Sequence, residues 1–180
     1  MNSFPSESQY LLLMELGFQD WFNARWISIE DVNEVARRLQ VSEIITRCDL
    51  QSAVRSIPAR PETMRVWISS LAPGWSHIIC LGGLMPSPPE DLTIGGHRLF
   101  EINFLGAVGE VDLPYYSEDG EGDAEGLGLE RYRGYWEGLE ILPPSLEEEM
   151  EMFLTLLGRI TGRFLDRDWA SSQGLLCRVP

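Results

Sequence analysis

Lysine is absent: all fourteen basic residues of the chain are arginines. The usage reads first as codon bias in a GC-rich genome, but it has a chemical consequence. There can be no lysine Schiff base and no P-loop ammonium. Cysteine is scarce as well. Cys48, Cys80 and Cys177 are odd in number, far apart and without a C-x-x-C pair. That spacing excludes a disulfide framework, a zinc ribbon and a thioredoxin-like motif, and predicts free buried thiols in a reducing cytosol. Long apolar runs are missing too. The stretch from Tyr10 to Leu16 is broken by Glu15 and follows no basic segment. It is too short for a signal-peptide core or a membrane span, so the expectation is a soluble, cytoplasmic protein with no membrane association.

What is present is ordinary globular material with an uneven charge. The 180 residues are 44% hydrophobic and 23% charged, which suits one domain spanning 1–180 with its own core. Pro58 and Pro61 mark a weak internal boundary near 58–62. The net charge is −14. Fourteen acidic residues lie between Glu110 and Glu151 against only Arg131 and Arg133, while the rest of the chain is close to balance. Phosphate contacts need clustered arginine or lysine, so nucleic acid is an unsuitable partner and a basic protein a suitable one.

Along the chain, Tyr10–Leu16 and Trp21–Ile27 read as apolar strands separated by Gly17. Ser28 and Asp31 resemble a capping box before a helix carrying Ile29, Val32, Val35, Ala36 and Leu39 on one face. Residues 41–56 fit either a short strand, Glu43–Arg47, followed by a helical turn capped by Asp49, or one longer helix. Arg65–Leu71 and Ser76–Leu81 form a hairpin around Ala72-Pro73-Gly74. Phe100, Ile102 and Phe104 alternate with polar residues, as do Val111 and Leu113. Ser117–Gly128 reads as an acidic, glycine-rich loop, and Arg131–Leu142 has helical spacing. Ser145 with Glu148 caps the clearest helix, whose stripe includes Met150, Phe153, Leu157 and Ile160, and which Gly162 stops. Gly174–Val179 is a last strand. Together these elements predict an α+β domain with an antiparallel sheet of about five to seven strands and two or three packed helices.

Few constellations could carry chemistry. Asp119, Glu121, Asp123, Glu125 and Glu130 fall at positions 1, 3, 5, 7 and 12 of an EF-hand count. However, Ala124 stands where the loop needs glycine, and Tyr115-Tyr116 precedes it in place of a helix. His77 and Cys80 lie three apart on a strand and so face opposite ways. Asp166 and Asp168 would share one strand face with Arg163 and Arg167 on the other, an arrangement that suits ion pairing better than acid–base work. Gly82-Gly83 and Gly95-Gly96 lack nucleotide-loop spacing and read as turns. No cofactor is expected. An enzyme would have to assemble Cys80, His97, Asp166 and Asp168 from across the fold, and a scaffold or accessory subunit with no chemistry is a third alternative.

The binding reading uses most features. Acidic Asp119, Glu121, Asp123 and Glu125, aromatic Tyr132, Tyr135 and Trp136, and Arg131, Arg133 and Glu137 would form one partner surface. Glu147, Glu148 and Glu151 would extend it, with acids steering and aromatics anchoring. In general character, and locally in Tyr135-Trp136-Glu137-Gly138, the chain resembles bacterial immunity proteins that neutralise secreted or contact-delivered toxins. The resemblance implies steric occlusion of a toxin active site, such as a nuclease's, with acidic groups standing in for phosphate.

Overall fold

A computed structural model describes residues 3–57, 64–82, 89–123 and 126–180, the side chain of Glu90 excepted. The Pro58–Pro61 boundary, Gly83, Ala124 and Glu125 lie outside the described residues. The fold is α+β with one antiparallel sheet, and among the described residues its strands number nine, more than the periodicity suggested. In chain order these are β1 (Phe22–Ile27), β2 (Glu43–Cys48), β3 (Arg65–Ala72), β4 (Trp75–Leu81), β5 (Arg98–Leu105), β6 (Glu110–Val111), β7 (Tyr115–Glu118), β8 (Glu121–Asp123) and β9 (Gly174–Arg178). Their order across the sheet is β2-β9-β3-β4-β1-β5-β7-β8, with β6 also paired to β5. The C-terminal strand β9 is thus an interior strand, bonded to β2 on one side and β3 on the other.

The helices are α1 (Gln9–Leu16), α2 (Val32–Arg38), α3 (Leu50–Arg55), α4 (Leu146–Thr161) and the single turn α5 (Arg167–Ala170). A 3₁₀ segment runs over Glu130–Trp136. Side-chain alternation splits the core between the two sheet faces. On one face Trp26, Trp67, Ile79, Phe100 and Leu176 pack with residues of α1, α3, α4, α5 and the 3₁₀ segment. On the other, Ile27, Ile68, Ile78, Leu99 and Leu175 pack with Val35, Ala36 and Leu39 of α2.

Three local readings change. Residues 9–16 are helical, because Ser8 Oγ accepts from the Leu11 N–H and Gly17, at φ +106°, closes the end in the left-handed region. The first cap of α2 is Asp31, whose side chain accepts from Asn33 N–H, whereas Ser28 Oγ accepts from Arg98 N–H across the sheet. Of the two alternatives for 41–56, strand β2 followed by α3 with Asp49 as its cap is the one that forms. The hairpin β3–β4, strand β5, and α4 between Ser145 and Gly162 stand as the sequence predicts.

His77 sits at the centre of the first face, fully buried between Trp26 and Trp169 at ring-centroid distances of 4.3 and 5.3 Å. Among the described residues neither ring nitrogen has a hydrogen-bond partner, and the same is true of Ser69 Oγ opposite it and of Trp169 Nε1. Burial alone lowers the His77 pKa to about 3. Between an unfolded value of about 6.5 and the folded value, the unfolded chain binds a proton that the native imidazole does not. His77 therefore supports stability above pH 6.5, and that contribution is lost as pH falls toward 3. Replacing it with phenylalanine removes the term. Urea unfolding should show that His77→Phe loses less stability than the parent between pH 7 and pH 5, by about 2 kcal/mol.

Candidate functional site

The acidic segment is not a loop. Tyr115–Glu118 and Glu121–Asp123 pair as β7–β8, turning at Asp119 (φ 50°) and Gly120 (φ 84°). Positive φ at both turn residues is the tight hairpin geometry that Asp-Gly favours. The Asp119 carboxylate accepts from the Gly95 and Gly96 amides at 2.8 and 3.0 Å, and these bonds hold its pKa below the usual carboxylate value. The first five EF-hand positions are therefore a hairpin, and Asp119 already has its partners. Among the described residues no three of His, Cys, Asp and Glu gather closely enough to hold a metal ion.

The aromatic stretch is more internal than a contact surface would be. Tyr132 is buried with Tyr116 against Phe100. Arg131 donates to Tyr116 Oη and Glu118, with its guanidinium 5.0 Å from the Tyr132 ring centroid. Trp136 is half-buried and its Nε1 donates to Leu127 O at 2.9 Å; Tyr135 is half-buried beside Tyr132. Arg133 pairs with Glu130 on the surface. Glu137 is exposed, and its backbone carbonyl accepts from Arg159.

Glu151 also works inside the fold. Its carboxylate accepts from Ser8 Oγ, Gln9 N–H, Gln9 Nε2 and Tyr10 N–H at 2.8–3.2 Å, covering the open amides at the start of α1. Two turns further along α4, Arg159 donates to Ser3 O, Tyr135 O and Glu137 O. Its guanidinium lies 4.6 Å from the Phe4 ring centroid, and desolvation lowers its pKa. Between these two anchors the chain start, the 138–143 turn and α4 enclose a groove of about 470 Å³. Buried Met152 and Thr155 with half-buried Leu139 form its floor, and exposed Phe4, Glu140 and Glu148 its rim. Glu140 and Glu148 carry no side-chain hydrogen bond or ion pair among the described residues. Ser145 Oγ accepts from Glu148 N–H, so only that half of the capping box forms and the Glu148 carboxylate stays at the rim. Beside it, Ile141 and Leu142 are 70% and 87% exposed.

The site therefore keeps Glu148 from the expected surface, with Glu147 next to it on the first turn of α4. It adds Phe4, Leu139, Glu140 and Met152, which the sequence reading did not single out. Glu121 is exposed on β8, and Asp123 is half-buried there.

The dispersed enzyme residues do not meet. Cys80 is buried on the same face as Arg25 and Glu101, and burial pushes its thiol up to about 12. That face holds the Arg25–Glu101 ion pair, to which Asn23 Nδ2 donates. Asp166 caps α5, whose Trp169 packs on the opposite face. Asp166 thus begins a helical turn, not a strand, and pairs with Arg163, while Arg167 pairs with Glu7 and Glu15. His97 Nδ1 lies 2.8 Å from Ser28 O, beyond the end of β1 away from Cys80. No helix among the described residues is long and apolar enough to cross a membrane. No family model, curated protein or solved structure matches the chain.

Removing the Glu151 carboxylate leaves the first amides of α1 open at a part-buried site. Glu151→Ala should lower unfolding free energy by about 2 kcal/mol in urea titration. Glu147→Ala, whose side chain makes no internal bond, should change it by less than about 0.5 kcal/mol.

Proposed function

We propose that this is an acidic protein-binding domain that captures a basic partner, specifically an immunity-type protein that neutralises a cognate bacterial toxin by covering its active site. The observation that carries the reading is the groove. Unpaired carboxylates stand over an apolar floor, beside two aliphatic side chains that the fold leaves in water. Exposed apolar groups next to a polar rim are the pattern of a docking surface. The remaining free acids, Glu121, Glu147 and Glu149, supply a negative field that steers a basic protein and penalises an acidic one.

A binding role also accommodates the fate of Cys80, His97 and Asp166, each held in a local structural contact, and of Asp168, exposed on the first turn of α5. Nothing in their placement requires chemistry. Occlusion needs only a surface that presents charge and shape to a partner's cleft, with the helix and sheet behind it as rigid support.

The test is protection and its salt dependence. A toxin encoded by an adjacent reading frame is expected, and co-expression with it should restore growth. The association rate of the purified pair should fall by at least about tenfold between low and high ionic strength. Triple reversal of Glu121, Glu147 and Glu149 to arginine should slow association by a similar factor. No protection, or a rate indifferent to both salt and reversal, would sink the reading.

A further inference from the structure

We infer that the groove between residues 4–8, the 138–143 turn and α4 is a pocket for one long basic side chain, an arginine flanked by aliphatic residues in an extended segment of the partner. The inference rests on the proposed basic-partner reading and specifies where and how that partner is held.

The lining selects the ligand. A wholly apolar occupant would strip water from Glu140 and Glu148 and give nothing back. An acidic occupant would meet four glutamates, Glu7, Glu140, Glu148 and Glu151. A long basic side chain satisfies both parts of the pocket, laying its methylenes on Leu139 and Met152 while its charged head reaches the rim carboxylates. Guanidinium suits two carboxylates better than ammonium, because its planar fork offers several directed donors at once. The head belongs at the carboxylates, not on the Phe4 ring, since Arg159 already covers one ring face and a second cation there would be repelled.

Size and surroundings agree. About 470 Å³ lies in the range of small-ligand pockets, enough for a side chain and its own backbone but not for a helix laid lengthwise. Ile141 and Leu142, exposed between two groove residues, give the aliphatic neighbours of the arginine an apolar place to rest.

The experiment uses the full chain and a defined probe, the acetylated tripeptide amide Leu-Arg-Leu, titrated into isotope-labelled protein by NMR. Amide shifts should concentrate at Leu139, Glu140, Glu148 and Met152. Citrulline in place of the arginine keeps the shape and removes the charge, and should weaken binding about tenfold. The double variant Glu140→Gln, Glu148→Gln should weaken it roughly fivefold to tenfold. Both glutamates are exposed and have no internal partner, so the variant should fold. Equal binding of the arginine and citrulline peptides, shifts mapping elsewhere, or no shifts at millimolar peptide would overturn the inference. The two proposals also fail separately. If the glutamine pair leaves cognate-partner affinity unchanged while reversal of Glu121, Glu147 and Glu149 lowers it, the pocket is wrong and the basic-partner reading stands. If salt and reversal leave partner binding unchanged, the reading is wrong whatever the tripeptide does.

Discussion

The beginning of the chain is held in place by two charged side chains on α4, and the candidate site exists because of them. Glu151 accepts four hydrogen bonds from Ser8, Gln9 and Tyr10; Arg159 donates to three backbone carbonyls and lies on Phe4. The two are about 12 Å apart along the helix axis. That spacing lets residues 3–8 run over the helix with a gap beneath them, and the gap is the groove. Arg159 is buried, a costly state for a cation unless dipoles replace water, and the charge of Glu137 offsets part of that cost. Three carbonyls provide that replacement and lock the 135–137 backbone to the helix. The same arginine therefore fixes the Phe4 wall and the approach to the 138–143 turn.

The excess charge divides by cause. Asp119 closes a turn against two glycine amides, Glu118 holds Arg131, and Glu151 caps α1. Glu147, Glu148 and Glu149 gain from the positive end of the α4 dipole, which tolerates acids whether or not a partner exists. Glu140 has no such explanation. It precedes two exposed aliphatic residues and two prolines, outside any helix, and no side chain among the described residues pairs with it. Self-repulsion opposes a compact acidic surface, so an unpaired carboxylate beside exposed leucine and isoleucine costs stability twice. A partner that covers both removes both costs.

Legibility followed periodicity. β5 alternates, β3 and β4 are joined by one direct Pro-Gly turn, and α4 has a cap, a stripe and a stop, so the sequence specifies them nearly to the residue. Tyr10–Leu16 does not alternate and has no clean helical stripe, because α1 faces apolar neighbours on more than one side; Ser8 and Gly17 were the better signals. Asp119-Gly120 was likewise a hairpin turn in plain view, obscured by the acidic composition around it. The groove was illegible for a different reason. Its parts are separated by more than 130 residues, and long-range contacts such as those of Glu151 and Arg159 bring them together. No local pattern marks Phe4 or Met152 as neighbours.

The division of the buried polar groups separates framework from function. His77, Ser69 and Trp169 on one face, and Arg25, Glu101 and Asn23 on the other, are polar residues inside the sheet. Burial pushes His77 and Cys80 toward their neutral forms. A neutral, stacked imidazole and a protonated thiol on opposite faces are poorly suited to acid–base or nucleophilic work together. The groove differs, with the Glu140 and Glu148 carboxylates exposed at its rim and, among the described residues, without a side-chain partner, over buried Met152 and Thr155. Interior charge in this chain is matched, Glu101 against Arg25 and Arg159 against three carbonyls, whereas the groove rim leaves its carboxylates exposed. That contrast is what supports the proposal of a recognition surface where residues 4–8 cross α4.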